Sequence, residues 1–397
     1  MMKDKYFRRS LAAALAVLVI ALLWFFLPVS GGLARHAAES KGYKVPSDYS
    51  DTRYRTYYQG LSNSGKEAYR ILVAELPDFP ERVAIPLLRS SELQDVYSAV
   101  SYDNPEFFFL AYDYSYSRSG ALNYFEPHYI MSRAEYQNKL AAVRRAASNF
   151  LRGAPVNGSD YDKELYVHDN LVLKNTYAEG DQDMIYTIYG ALVNNYCNCE
   201  GYSRSAVYLL KKLGVRSCVI PGTAIRRNGS RSNHMWNKVW LNGSPYMMDI
   251  TFDDYRLVNG SGGSATDGVS HIYLNLSWND ISRNHILDDS AQGKDCTRED
   301  MMYFRKNGMY FSTYEEAKRV VPGKTKQALQ DGKTSIEMRF SSSLAYSQAR
   351  SGFLQGDDFY EILDGANAAV EPSKRVSNKR IQYVTDDQYY VIRIYFQ

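Results

Sequence analysis

The composition of the chain limits what it can be. Its 397 residues suffice for two or three domains that each bury a hydrophobic core. A net charge of +3 with 23% charged residues excludes a strongly basic nucleic-acid-binding protein, and four cysteines are too few for a disulfide-based scaffold of this length.

The first thirty residues predict a membrane segment. Four of the first nine residues are basic, and residues 11–29 form an uncharged apolar run that is long enough to cross a bilayer as a helix. Because cleaved signal peptides usually have a core of only about 7–15 apolar residues, we predict an uncleaved anchor in residues 1–30. The small residues Ser30-Gly31-Gly32 leave an alternative open, in which this segment is a signal peptide that is cleaved and the protein is secreted. The basic end stays in the cytoplasm, so the remaining chain lies outside it, and residues 31–50 form a polar tether.

Residues 51–158 predict a mixed α/β module. The expected helices cover 65–76, beginning after Ser62 or Ser64, and 91–102, and the expected strands cover 106–117 and 124–131. Ser132 and Glu135 have the spacing of a capping box, which predicts the start of a long helix. We find no catalytic chemistry in this module.

Residues 159–290 carry the groups from which we predict an active site. A helix begins near Tyr161 and contains His168 and Asp169. This pair allows an acid/base or metal role, but a histidine on an apolar helical face is more often a hydrogen-bonded core residue, which is the interpretation we adopt.

A second helix is predicted directly after Cys199. Apolar residues recur at helical spacing from Tyr202 to Leu213, and Gly214 follows as a stop signal. Cys199 therefore lies in the first turn, with Asn198 or Cys199 at the cap. Free backbone N–H groups and the positive end of the helix dipole favour a thiolate there, which is what a thiol nucleophile needs.

Two strands are predicted around Asn242-Gly243, a strong hairpin signal. If Leu241 pairs with Ser244, His234 opposes Thr251, and Asp249 is its diagonal neighbour on the same face. Diagonal Cβ atoms lie roughly 7 Å apart, within reach of an imidazole–carboxylate hydrogen bond.

These segments together resemble a known family. The motifs are C-E-G-Y at 199–202, L-G-V at 213–215, H-M-W-N at 234–237 and Y-M-M-D-I-T-F-D-D at 246–254. They are similar to the successive motifs of the transglutaminase-like superfamily, a branch of the papain-like cysteine enzymes. The resemblance implies a catalytic triad of Cys199, His234 and Asp249. It also implies an α+β fold in which the nucleophile helix packs on an antiparallel sheet.

The remaining features are expected to be accessory. His271 and His285 are interpreted as structural, and Cys218 as a buried apolar residue in a strand. Residues 291–397 form a C-terminal region with a helix at 314–321 and alternating segments that predict a small β-rich element.

We therefore expect an extracytoplasmic enzyme that acts on protein or peptide amides, including cell-wall peptides, by acyl transfer or hydrolysis. The alternative is a non-catalytic module for binding or assembly in the cell envelope. A metal-dependent hydrolase is disfavoured because the sequence contains no cluster of metal ligands, and we expect no cofactor.

Overall fold

A computed structural model describes residues 46–180, 184–226, 228–254, 269–288, 293–377 and 381–396. These residues fall into two compact units that divide between Arg144 and Arg145. Within the described ranges, no helix is long and apolar enough to cross a membrane. The predicted anchor in residues 1–30 lies outside them.

The first unit combines short helices with a three-stranded antiparallel sheet of order β1-β3-β2. Its elements are α1 (Thr56–Gly60), α2 (Asn63–Glu75), β1 (Val83–Pro86), α3 (Ser90–Asp103), β2 (Leu110–Ser119), β3 (Leu122–Tyr129) and α4 (Arg133–Phe150), which continues past the division. Ser62 caps α2 by accepting a hydrogen bond from the Gly65 amide, as the sequence predicts. The Glu135 amide likewise donates to the Ser132 hydroxyl at the start of α4.

The second unit begins with the elements that carry the predicted site. They are α5 (Asp160–Lys174), β4 (Thr176–Tyr177), a π-helical turn (Gly190–Asn194), β5 (Tyr196–Cys197), α6 (Cys199–Lys212), β6 (Ser217–Ile225), β7 (Arg231–Leu241), β8 (Ser244–Met248), α7 (Ile250–Asp253), β9 (Leu274–Leu276), α8 (Trp278–Ile281) and β10 (His285–Leu287). The five-stranded sheet is antiparallel, in the order β10-β6-β7-β8-β9. The short strands β4 and β5 pair in parallel.

Helix α6 packs on this sheet through polar as well as apolar contacts. Every residue from Gly201 to Leu210 is buried, so the helix lies inside the unit. The Ser203 hydroxyl donates to the Met235 carbonyl oxygen (2.9 Å), and the Asn237 amide donates to the Ser203 carbonyl oxygen (3.0 Å). These two hydrogen bonds fix the position of helix α6 against strand β7, which carries His234.

The predicted hairpin is confirmed at its turn but wrong at its far end. Asn242 and Gly243 have φ values of 50° and 78°, and Leu241 pairs with Ser244. However, β8 ends at Met248, and the next residues form the short helix α7, so His234 does not oppose Thr251. The reason is local, since the Asp249 carboxylate accepts backbone N–H groups at the start of α7 and thereby favours a helical turn over an extended strand.

The C-terminal part of the second unit contains the predicted strands together with more helix than the sequence indicated. Its elements are α9 (Tyr303–Lys306), β11 (Tyr310–Phe311), α10 (Tyr314–Gln330), β12 (Ser335–Phe340), α11 (Ser343–Arg350), α12 (Asp358–Ala368), β13 (Ile381–Asp386) and β14 (Val391–Phe396). The strands form a sheet of order β11-β12-β14-β13. Helix α10 runs through Pro322 to Gln330 rather than ending near Val321.

The predicted α+β fold is confirmed, and in the second unit the buried helix α6 packs on an antiparallel sheet.

Candidate active site

Cys199 is the first residue of helix α6, directly after the cap residue Asn198. The Asn198 side-chain oxygen accepts hydrogen bonds from the amides of Glu200 (3.0 Å) and Gly201 (3.1 Å), a cap that typically contributes about 1 kcal/mol to helix stability. The thiol is partly exposed and lies at the positive end of the helix dipole. The sequence prediction for this helix start is confirmed.

His234 lies on β7 and bonds to the carboxylate of Asp249. Its Nε2 donates to Asp249 Oδ2 at 2.6 Å, which leaves Nδ1 as the nitrogen that can face the Cys199 thiol. Burial opposes the charged imidazole, but the charge of Asp249 and the hydrogen bonds that the ring donates to Asp249 and Cys199 outweigh it and raise the pKa of His234 to about 10. The structure therefore favours an imidazolium beside the thiol at neutral pH.

Asp249 is held by four hydrogen-bond donors in a fully buried position. Its Oδ1 accepts from the amides of Thr251 (2.9 Å) and Phe252 (3.1 Å), and its Oδ2 accepts from His234 and, at 2.9 Å, from Nε2 of His285. Burial opposes ionisation, yet the two histidines lower the pKa of Asp249 well below its usual value. The carboxylate is thus ionised and fixed in orientation towards His234.

The sequence did not predict that His285 contacts Asp249. This residue begins β10, which pairs with β6 on the side of the sheet away from the β7–β8 hairpin, and it is buried. Burial lowers the pKa of His285, so the ring is neutral and donates to Asp249. No spacing rule links residue 285 to residue 249, because the contact depends on the strand order.

Cys199 and His234 line one cavity of about 260 Å³, which we call the thiol cleft. Asn198, Tyr177 and Phe252 also line it. The ring of Phe252 stacks on His234, with centroids 5.0 Å apart. The structure therefore brings the three predicted site residues together, with the thiol and imidazole at the cleft and the carboxylate behind the imidazole.

The other three cysteines are buried. Cys197 and Cys296 are fully enclosed and Cys218 is 3% exposed, which confirms the prediction that Cys218 is a buried apolar residue. Burial raises the pKa of Cys197 well above its usual value and that of Cys296 to about 12, which disfavours their thiolates. Cys199 is therefore the accessible thiol among the four.

A second group of histidines and carboxylates lies in the same unit, and we call it the buried ion network. His168 Nδ1 and His271 Nε2 both contact Asp169 Oδ1, at 2.9 and 3.1 Å. The other nitrogens of these rings contact Asp253 (3.2 Å) and Glu337 (2.7 Å). Despite burial, the neighbouring carboxylates raise the pKa of His168 to about 9 and that of His271 to about 10. The interpretation of His168 as a hydrogen-bonded core residue is confirmed.

The fold brings together two groups of potential metal ligands that lie far apart in the sequence. Two sets have ligand atoms within 4.8 Å of one another and could hold a metal ion by proximity: His168, Asp169 and His271, and His234, Asp249 and His285. In both sets the imidazole nitrogens already bond to carboxylates. A metal ion bound to these nitrogens would have to displace their hydrogen bonds to the carboxylates. The contacts in the structure are therefore those of hydrogen-bonded imidazole–carboxylate pairs.

Comparison with known proteins shows what the segment that carries these contacts is similar to. Residues 149–250 match the model of the transglutaminase-like superfamily, so the chain contains a transglutaminase-like domain. The match includes Cys199, His234 and Asp249. No curated protein matches the chain.

Among solved structures, the chain is similar to a TGase, with 14% identity, coverage of 50% of this chain and 56% of that chain, and a TM-score of 0.25. It is similar to a candidate cysteine protease from Cytophaga hutchinsonii, with 16% identity, coverage of 28% and 37%, and a TM-score of 0.23. It is also similar to a candidate protease from Parabacteroides distasonis, with 10% identity, coverage of 34% and 35%, and a TM-score of 0.19. The chain therefore covers less than two thirds of each of these proteins.

Proposed function

We propose that the protein is a thiol-dependent enzyme that transfers acyl groups from protein or peptide amides. The observation that carries this proposal is the 2.6 Å contact of His234 with a buried, fully bonded Asp249, while Cys199 shares the cleft with His234. A thiol, an imidazole and an orienting carboxylate are the three groups that nucleophilic acyl transfer requires.

The proposed reaction has two steps. The Cys199 thiolate attacks the carbonyl carbon of an amide, and the tetrahedral intermediate collapses as the C–N bond breaks. The His234 imidazolium gives its proton to the departing amine or ammonia, which leaves a thioester on Cys199. An amine or water then attacks the thioester and loses its proton to His234, and the C–S bond breaks. An amine gives a cross-link, whereas water gives hydrolysis.

The proposal is tested with full-length protein and a mixture of glutamine-containing peptides, with and without a biotinylated primary amine. We expect mass spectrometry to show either amine adducts, for a transferase, or new carboxylates and cleaved peptides, for a hydrolase. Cys199→Ala is the matched control. Product formation that is equal in wild type and Cys199→Ala, or absent from both, would favour the non-catalytic binding module.

We further propose that the enzyme works outside the cytoplasm, held by residues 1–30, so that cell-wall peptides are among its candidate substrates. The basic residues ahead of the apolar run support this orientation. Protease added to intact cells should degrade the region beyond residue 50 and spare an N-terminal tag. Protection of the C-terminal region in intact cells, with digestion only after lysis, would contradict this location.

A further inference from the structure

A second cavity, of about 320 Å³, adjoins the thiol cleft, and we call it the side pocket. Tyr177, Glu179, Arg226 and Phe252 line both cavities. The two cavities therefore lie directly beside each other.

Phe252 lines both cavities and contacts His234. One face of its ring stacks on His234, with the centroids 5.0 Å apart and the ring planes at 22°. The ring also meets Tyr273 at 5.2 Å and 63°, an edge-to-face contact on the pocket side. The side pocket is thus one aromatic ring away from the imidazole that would handle the proton.

The walls of the side pocket are mostly apolar, and they come from distant parts of the chain. Ile225 ends β6, Ile272 precedes β9, and Val384 and Val391 lie on the C-terminal strands β13 and β14. Such a surface binds apolar groups because it removes them from water. The volume is near the lower end of small-molecule sites, roughly 300–1,000 Å³, which suits a single large side chain.

The charged groups at the pocket already have partners. Arg226 pairs with Glu179 at the mouth (3.1 Å), and Arg393 pairs with Glu337 inside it (3.4 Å). The Asp386 carboxylate accepts two backbone amides of its own turn. A charged ligand group would compete with these bonds, whereas an apolar group would leave them intact.

We propose that the side pocket binds an uncharged aromatic or branched aliphatic side chain of the acyl donor, next to the carbonyl that Cys199 attacks. This inference rests on the proposed function. It assigns specificity to strands β13 and β14, which lie outside the matched range 149–250.

The test uses full-length protein and two acyloxymethyl ketone peptides that differ only in the residue beside the reactive carbonyl, phenylalanine or glycine. The second-order rate of Cys199 labelling is measured for each. We expect the phenylalanyl probe to react about 10- to 100-fold faster, because burial of its ring favours the bound state. Val384→Trp fills the pocket and should bring the ratio of the two rates close to one.

Tyr383→Trp is the matched control, since Tyr383 precedes Val384 on β13, is 48% exposed and does not line the pocket. It should keep the wild-type ratio. Ile272→Trp fills the pocket from another segment and replaces Val384→Trp if that variant does not fold. The proposed role of the side pocket is contradicted if the wild type reacts no faster with the phenylalanyl probe than with the glycyl probe. It is also contradicted if a folded Val384→Trp or Ile272→Trp protein keeps the wild-type ratio of the two rates. Failure of the glycyl probe to label Cys199 faster in wild type than in His234→Ala overturns the proposed function itself.

Discussion

Replacement of His234 by alanine is expected to reduce turnover about 10⁴- to 10⁶-fold, and replacement of Cys199 by alanine should do the same. The residues of a catalytic triad act as a unit, so we expect loss of the base to cost nearly as much as loss of the nucleophile. Asp249→Asn should cost less, about 10²- to 10⁴-fold, mainly in kcat. The His234→Ala protein should remain folded, because Asp249 keeps three of its four donors.

The dependence of iodoacetamide alkylation on pH measures the coupling between Cys199 and His234 directly. With the pKa of His234 raised to about 10, the imidazolium persists through neutral pH and favours the neighbouring thiolate. Alkylation of the wild type at neutral pH should therefore be faster than alkylation of His234→Ala. Turnover should fall as the pH rises through about 10, because His234 then loses the proton that the leaving group needs.

Peptide mapping must locate the label on Cys199, and Cys197→Ser, which removes a buried neighbour, should still be labelled. Superimposable alkylation curves for wild type and His234→Ala would show that the imidazole does not activate the thiol. In that case the non-catalytic module becomes the better interpretation.

Replacement of Gly201 by alanine should damage both stability and activity. A Cβ at this position would lie 2.3 Å from the carbonyl oxygen of Ile185 and 2.6 Å from Cβ of Cys197. The same Ile185 oxygen accepts the amide of the cap residue Asn198, so it cannot move without disturbing the start of α6. Overpacking of this kind typically costs about 1–3 kcal/mol, and a shift of the nucleophile by about 1 Å can cost 100-fold in rate.

The matched control for this change is Gly323→Ala in helix α10, where a Cβ would have no atom within 4 Å. That substitution should raise stability slightly, by about 0.4–1 kcal/mol, because alanine favours helix. Thermal unfolding and steady-state rates of both variants provide the measurement. A Gly201→Ala protein with wild-type melting temperature and rate would contradict the close packing at the start of α6.

Local signals in the sequence were sufficient to place Cys199 and the hairpin. Asn198 caps α6, Gly214 follows it with φ of 81°, and Asn242-Gly243 makes the turn, because each of these residues acts on its own backbone. The resemblance at residues 199–254 then indicated the three site residues, which the structure brings together at the cleft.

Long-range packing explains what the sequence could not predict. His285 reaches Asp249 only because β10 joins the sheet beside β6, and Val384 reaches the side pocket only because β13 packs near it. The strand predicted through Thr251 was wrong because a single carboxylate, that of Asp249, caps helix α7 instead. The alternation of apolar residues along a sequence contains no information about such a helix cap.

Helix α7 also connects the segment that carries the candidate site to the C-terminal part of the second unit. The matched range ends at residue 250, yet Asp253 in the same short helix is tied through His168, Asp169 and His271 to Glu337 on β12. A chain that acquired residues 149–250 alone would inherit the thiol and imidazole but would lack His271 and Glu337. The support of helix α7 therefore extends beyond the matched range to Glu337 on the C-terminal strand β12.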